Sequence, residues 1–149
     1  MIDRRTLVLT GLASLALAGR ARAEDHPVMV VYKSPTCGCC GAWIEHVEAA
    51  GFRVAVRNMP DVVPVKTEFG VPQALWSCHT ARIGDYTIEG HVPAEDILRM
   101  LDTRPQIAGI AVPGMPAGSP GMEVPGYSEP YDVYAFSGDN LSVFASHEG

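Results

Sequence analysis

Three cysteines stand within four residues, Cys37-Gly38-Cys39-Cys40, and the residues around them fix their setting. Before them, residues 28–32 (VMVVY) form a β-branched run that reads as a buried strand. Ser34-Pro35-Thr36 breaks that run. After them, residues 41–50 read as a helix, with Trp43, Ile44 and Val47 on one apolar stripe and Gly51 at its stop. The cluster therefore sits at a strand-to-helix junction. Free backbone N–H groups and the helix dipole stabilise a thiolate there.

The elements that follow define the fold class. Residues 52–56 (FRVAV) alternate as a second strand. A polar, Pro-containing connection runs over 58–70, with a helical stretch expected around 66–69. Val71-Pro72 opens a run at 73–80, and residues 82–89 pair with it through a turn at Gly84-Asp85. Pro93-Ala94-Glu95-Asp96 starts a helix with Pro and acids in its first turn; it runs to about Leu101 and stops before Pro105. This order is the thioredoxin plan, an α/β fold in which helices cover a small mixed sheet. Residues 107–127 are rich in Pro and Gly and contain Pro-Gly-Met twice, ending at Met115 and Met122. A closing β-hairpin is expected from 131–136 and 141–144, turning at Ser137-Gly138-Asp139-Asn140.

The amino-terminal segment reads as an export signal. Arg4-Arg5 gives a positive head, residues 7–18 are mildly apolar, and Ala21-Arg22-Ala23 is the small-x-small pattern that a signal peptidase cuts behind. The arginine pair before Thr6-Leu7-Val8 loosely fits a twin-arginine signal, and two arginines serve equally as an ordinary head. The apolar run is shorter than the roughly 20 residues a membrane-spanning helix needs. The expectation is a signal peptide over 1–23, a single domain over 24–149 without a membrane span, and a periplasmic or otherwise exported location. The leader holds four of the 11 Lys+Arg and one of the 17 Asp+Glu, so the remainder has seven basic and sixteen acidic side chains, a net charge of −9. That balance argues against a nucleic-acid groove and against adhesion to anionic lipid.

All four cysteines lie beyond the leader, in a compartment where disulfides form. Cys37 and Cys40 have the C-x-x-C spacing of a redox dithiol. Cys39 has no use in a dithiol enzyme and would offer a competing, strained vicinal disulfide with Cys40. A metal site gains from it, because three sulfurs then converge within one turn. Cys78 follows Val71-Pro72; in the thioredoxin plan the proline before that strand is usually cis and lies beside the reactive loop, which would bring Cys78 close. Clustered thiolates suit copper(I) and zinc. The plain alternatives are a structural disulfide with spare buried thiols, and a Cys78 that merely fills a strand position.

His79 and His91 add imidazoles suited to copper or zinc, or else are surface and core-edge residues. Neighbours in a regular strand face opposite ways, so Cys78 and His79 serve one site only if the strand is bulged or ends there. Met115 and Met122 stand in Pro/Gly-bounded loops. They either offer thioether sulfur to copper(I) or pack against the cluster. His26, His46 and His147 read as ordinary surface residues. No nucleophile elbow or paired acid motif points to a hydrolase.

Taken together, Tyr32 through Cys40, Val71-Pro72, Ser77-Cys78-His79-Thr80, Glu89-Gly90-His91-Val92-Pro93, and the two Pro-Gly-Met segments resemble the CopG-type periplasmic copper-resistance proteins. The resemblance covers nearly the whole chain beyond the leader. It implies a thioredoxin-like fold, export, and copper handling by Cys37, Cys39, Cys40 and Cys78, with His79, His91, Met115 and Met122 as further ligands. The expected function is copper(I) binding in metal resistance, with more than one ion bridged and other periplasmic copper-handling proteins as partners. A thiol-disulfide oxidoreductase using Cys37 and Cys40, and a domain built on structural zinc, are the alternatives.

Overall fold

The computed structural model describes residues 26–148, so the expected leader lies outside the described residues. One seven-stranded mixed sheet runs in the order β2-β1-β3-β4-β5-β6-β7, accompanied by three α-helices. β1 (Met29–Lys33) pairs in parallel with β2 (Val54–Asn58) and antiparallel with β3 (Thr80–Ile83). β4 (Tyr86–Glu89) returns from β3 through the expected Gly84-Asp85 turn. These four strands reproduce the thioredoxin arrangement. β5 (Gly109–Ala111), β6 (Tyr131–Ser137) and β7 (Asn140–His147) then extend the same sheet.

Helix α1 (Gly38–Ala49) begins three residues earlier than the sequence suggests, with Cys37 at its N-cap. Its buried residues Cys40, Trp43, Ile44 and Val47 recur at helical spacing. Trp43 is fully buried, and its Nε1–H donates to the Val92 carbonyl at 2.8 Å, which joins α1 to the segment ahead of the last helix. α2 (Val63–Glu68) starts where Asp61 accepts from the Val63 N–H at 2.9 Å and Pro64 fits the first turn. α3 (Ala94–Thr103) follows Pro93 and ends on Arg104 in the left-handed region, just before Pro105.

Three expectations are corrected. β2 is displaced by two residues, because Phe52 is a core side chain ahead of the strand rather than its first member. Residues 73–80 do not form a strand: Gln73–Leu75 is a 3-10 turn, and β3 starts only at Thr80. The peptide bonds are trans throughout the described residues, Val71–Pro72 included; Pro72 here leads into the 3-10 turn instead of a strand. The Pro/Gly-rich stretch also conceals β5. Gly109 is required there, since a Cβ would collide with the Thr87 carbonyl oxygen and the Phe136 ring.

The core is formed by α1, α3 and the central strands, including Met29, Val31, Trp43, Ile83, Ile88, Ile97 and Ile110. A smaller cluster of Val71, Leu75, Ala111 and Phe136 packs the 3-10 turn against β5 and β6. It supports the loop that leads to Cys78.

Candidate metal centre

The centre forms where four segments meet: the first turn of α1, the loop ahead of β3, the loop after β4, and a turn at Gly118–Met122. Cys37 and Cys40 are joined as a disulfide, while Cys39 and Cys78 are free. The Cys39 sulfur lies 3.5 Å from that of Cys37 and 3.9 Å from that of Cys78. The Cys40 and Cys78 sulfurs are 3.5 Å apart. The sequence condition for Cys78 and His79 to share a site is met, since both precede the first strand residue, Thr80. His79 Nδ1 is 3.3 Å and His91 Nε2 is 3.0 Å from the Cys78 sulfur.

These contacts fix the proton positions. His91 Nδ1–H donates to the Pro120 carbonyl at 2.7 Å, so its Nε2 carries the lone pair and accepts from the Cys78 thiol. With that proton committed, His79 Nδ1–H donates to the sulfur. His79 Nε2 is left as a buried lone pair without a partner. Trp43 lies 4.4 Å from the His79 ring, centroid to centroid. Burial holds both imidazoles below their ordinary pKa, and for His79 the nearby His91, Lys66 and Lys33 add to it. Burial and the neighbouring Cys39 push the Cys78 thiol up to about 12.

The loop carrying Cys78 is held from beneath by a buried network. Lys66 forms an ion pair with Glu89 at 2.5 Å, and Glu89 accepts from the Thr80 hydroxyl at 2.6 Å and from the Ser77 N–H at 2.7 Å. Burial raises the Glu89 pKa against the opposing pull of Lys66. The Ser77 hydroxyl donates to the Gly114 carbonyl, tying this loop to the first Pro-Gly-Met segment. The second segment approaches from above. A Cβ at Gly121 would strike the Cys39 carbonyl oxygen and the Trp43 nitrogen, and the residue has φ +85°. Only glycine allows this turn to close on α1.

The donor chemistry fits a metal in two overlapping sets. Cys37, Cys39, Cys40 and Cys78 place four sulfurs within 4.8 Å of one another, all four being thiolate donors only once the Cys37–Cys40 bond is reduced, and Cys78, His79 and His91 offer a sulfur and two nitrogens within the same limit. The nitrogen that His79 turns to the Cys78 sulfur is Nδ1, so His79 would join this set in the tautomer that carries its proton on Nε2. Of the eight residues singled out from the sequence, six are thus brought together. Met115 is 51% exposed, and Met122 is half-buried in the turn whose Pro120 and Gly121 contact the site. Sequence reasoning missed Lys66 and Glu89, whose pairing is a tertiary contact without a local motif. It also placed His46 and His147 on the surface. His46 Nε2 in fact accepts from the Ala94 N–H at 3.0 Å, and His147 lies 2.7 Å from Asp96.

Residues 75–122 match a family described as "Protein of unknown function, DUF411". That span includes Cys78, His79, His91 and both methionines but not the α1 cysteines. No curated protein sequence matches. Two solved structures are similar over the larger part of the chain. "Copper resistance protein copG- Form 1" is 42% identical, with a TM-score of 0.78, over 84% of this chain and all of that one. "Copper resistance protein copG- Form 2" is also 42% identical with a TM-score of 0.78, over 83% of this chain and 99% of that one. With one fold, this level of identity and a cysteine cluster able to hold metal, the chain belongs to the CopG copper-resistance family.

Proposed function

We propose that the protein is exported, is cleaved behind Ala23, and binds copper(I) in metal resistance through Cys37, Cys39, Cys40, Cys78, His79 and His91. The observation that carries this reading is the position of Cys78, which belongs to both donor sets. A sulfur shared in this way bridges ions, so the centre takes more than one copper(I). Soft thiolates and imidazoles are suited to that ion. The Cys37–Cys40 disulfide makes loading depend on an external dithiol reductant, which gives up two electrons and two protons, becomes a disulfide itself and leaves two thiols here; these lose their protons as copper binds. Met122, in the turn above the site, and Met115, beside the Ser77–Gly114 contact, are assigned to ion entry. Other exported copper-handling proteins are the partners this role calls for. No helix among the described residues is long and apolar enough to cross a membrane.

The decisive experiment is anaerobic titration of the reduced protein with copper(I) against a competing chelator. Uptake of more than one ion per chain supports the proposal, and no uptake overturns it.

A second reading is favoured by one specific observation: the disulfide lies at the start of α1 with the Cys78 sulfur 3.5 Å from Cys40. That is the setting of a thiol-disulfide oxidoreductase. It requires disulfide reduction on a protein substrate that survives Cys39→Ser, whereas the copper reading requires Cys39→Ser to lose metal. A structural zinc domain would instead unfold when its metal is removed.

A further inference from the structure

A second set of metal-binding side chains lies apart from the Cys78 centre, and it contains no sulfur. Glu95, Asp96 and His147 each bring a donor atom within 4.8 Å of the others. Glu95 and Asp96 stand in the first turn of α3, where the helix dipole alone favours acids. His147 is not explained in that way: it closes β7, 51 residues along the chain from Asp96. We propose that these side chains form a second metal site. His147 Nδ1 and the Glu95 carboxylate hold a divalent ion of the copper(II) and zinc(II) class, and Asp96 orients the imidazole.

The imidazole is held in place by its neighbours. Asp96 is buried, and its Oδ1 is ion-paired with Arg99 at 2.9 Å. Its Oδ2 lies 2.7 Å from His147 Nε2. An ionised carboxylate only accepts, so the proton of that bond is on Nε2 and the lone pair of the neutral ring is on Nδ1. Tyr131, opposite His147 in the β6–β7 pairing, stacks on the imidazole with centroids 5.0 Å apart. Arg99 also donates to the Phe144 carbonyl at 3.0 Å, which ties the partner of Asp96 to β7 itself. A carboxylate on one ring nitrogen, with the lone pair on the other, is the arrangement that orients metal-binding histidines.

His147 Nδ1 lies 3.9 Å from Glu95 Oε1, too long for a hydrogen bond. Metal–nitrogen and metal–oxygen bonds are about 2.0–2.2 Å, so one ion can span that gap. Glu95 is 76% exposed, and its side chain can turn to set the angle. Both residues line a cavity of about 240 Å³ together with His46, Tyr131 and Glu123, and no lysine or arginine lines it. Two carboxylates without a fixed positive charge favour a cation there. His46 Nε2 already accepts from the Ala94 N–H, so His46 is not assigned as a ligand. Oxygen and imidazole donors suit copper(II) or zinc(II), whereas the sulfur cluster suits copper(I). Pro120 lines this cavity while its carbonyl holds His91, so one turn walls both sites.

The test uses the full chain with its free thiols alkylated, which takes the Cys78 centre out of the measurement. It is titrated with Cu(II) in a non-coordinating buffer, and electron paramagnetic resonance reads the bound nitrogens. The expected result is one Cu(II) per chain with a one-nitrogen, oxygen-rich pattern that is lost in His147→Ala. Asp96→Asn should weaken binding by about 10–100-fold, the usual cost of losing an orienting partner, with the one-nitrogen pattern kept because the ligand remains. Glu95→Gln, which removes a ligand, should weaken it by no less. Glu95 is exposed, so that variant keeps the test valid if His147→Ala loosens β7. No bound Cu(II), a pattern that survives His147→Ala, or full affinity in Glu95→Gln overturns the site. Full affinity in Asp96→Asn overturns the orienting role. Each of these failures leaves the copper(I) reading standing, because the thiols are blocked throughout.

Discussion

The sulfur of Cys78 lies 3.0 Å from Nε2 of His91, whose other ring nitrogen is held by the Pro120 carbonyl. That backbone contact selects the imidazole tautomer facing the thiol. A turn far along the chain thus determines which atom His91 presents.

Because Cys78 belongs to both donor sets, Cys78→Ser should lower bound copper further than Cys39→Ser, which removes a donor from one set only. Copper per chain after chelator competition measures this. Equal losses in the two variants would show that Cys78 does not bridge.

Copper(I) binding should strengthen with pH. The Cys78 thiol, pushed up to about 12, is protonated at any ordinary assay pH, so the metal must displace its proton. Each displaced proton adds about a tenfold rise in apparent affinity per pH unit. His79 and His91 have pKa values held below the ordinary 6.5, so they stay neutral through the same range and add no slope near neutrality. A flat affinity profile between pH 6 and 8 (an interval of about two units) would contradict proton displacement.

The buried Lys66–Glu89 pair should be costly to break and cheaper to replace. Lys66→Met leaves a carboxylate stranded in the interior and is expected to cost about 3–5 kcal/mol in urea unfolding. Lys66→Met combined with Glu89→Gln should recover much of that loss. The sign with pH follows from burial, which raises the folded-state pKa of Glu89 above the reference 4.5. A raised carboxyl pKa favours the folded state while the group is protonated, and that contribution is lost as pH rises through the folded pKa. The single variant, without the opposing Lys66 charge, should therefore lose stability more steeply than the parent above pH 4.5.

Gly121→Ala should weaken both stability and copper binding. The added methyl would meet the Cys39 carbonyl and the Trp43 nitrogen at a positive φ, a strain of roughly 1–3 kcal/mol. Relief requires the turn to lift from α1, which moves the Pro120 carbonyl away from His91. Thermal unfolding and copper(I) competition on the same sample measure the two effects.

The sheet around β1 was legible in the sequence because its strands and helices carry strong periodicity and clear stops. The α1 cysteines were legible because their spacing leaves little besides redox or metal chemistry. Residues 73–80 misled because an apolar, β-like composition can fold as a 3-10 turn and an extended loop when Leu75 packs against Val71, Ala111 and Phe136. β5 was hidden because three residues are too few to show a period, and its pairing is decided by close approach at Gly109. Lys66 and Glu89 lie on separate elements, and only the folded chain brings their charges together.

The placement of β5 beside β6 has a consequence for the outermost part of the site. Residues 112–130 leave the sheet at Ala111 and rejoin it at Tyr131, on antiparallel neighbours. The wall formed by Pro120 and Gly121 is thus a strap pinned at both ends to one sheet, and its alignment over the cysteines is indexed by the β5–β6 register. A slip of one residue would turn the side chains of β6 to the opposite face and draw the strap out of line. A chain cut after residue 130 would retain every sulfur and imidazole donor of the Cys78 centre yet lose one of the two pins. The hairpin, which gives no donor to the Cys78 centre, is in this sense a mechanical part of it.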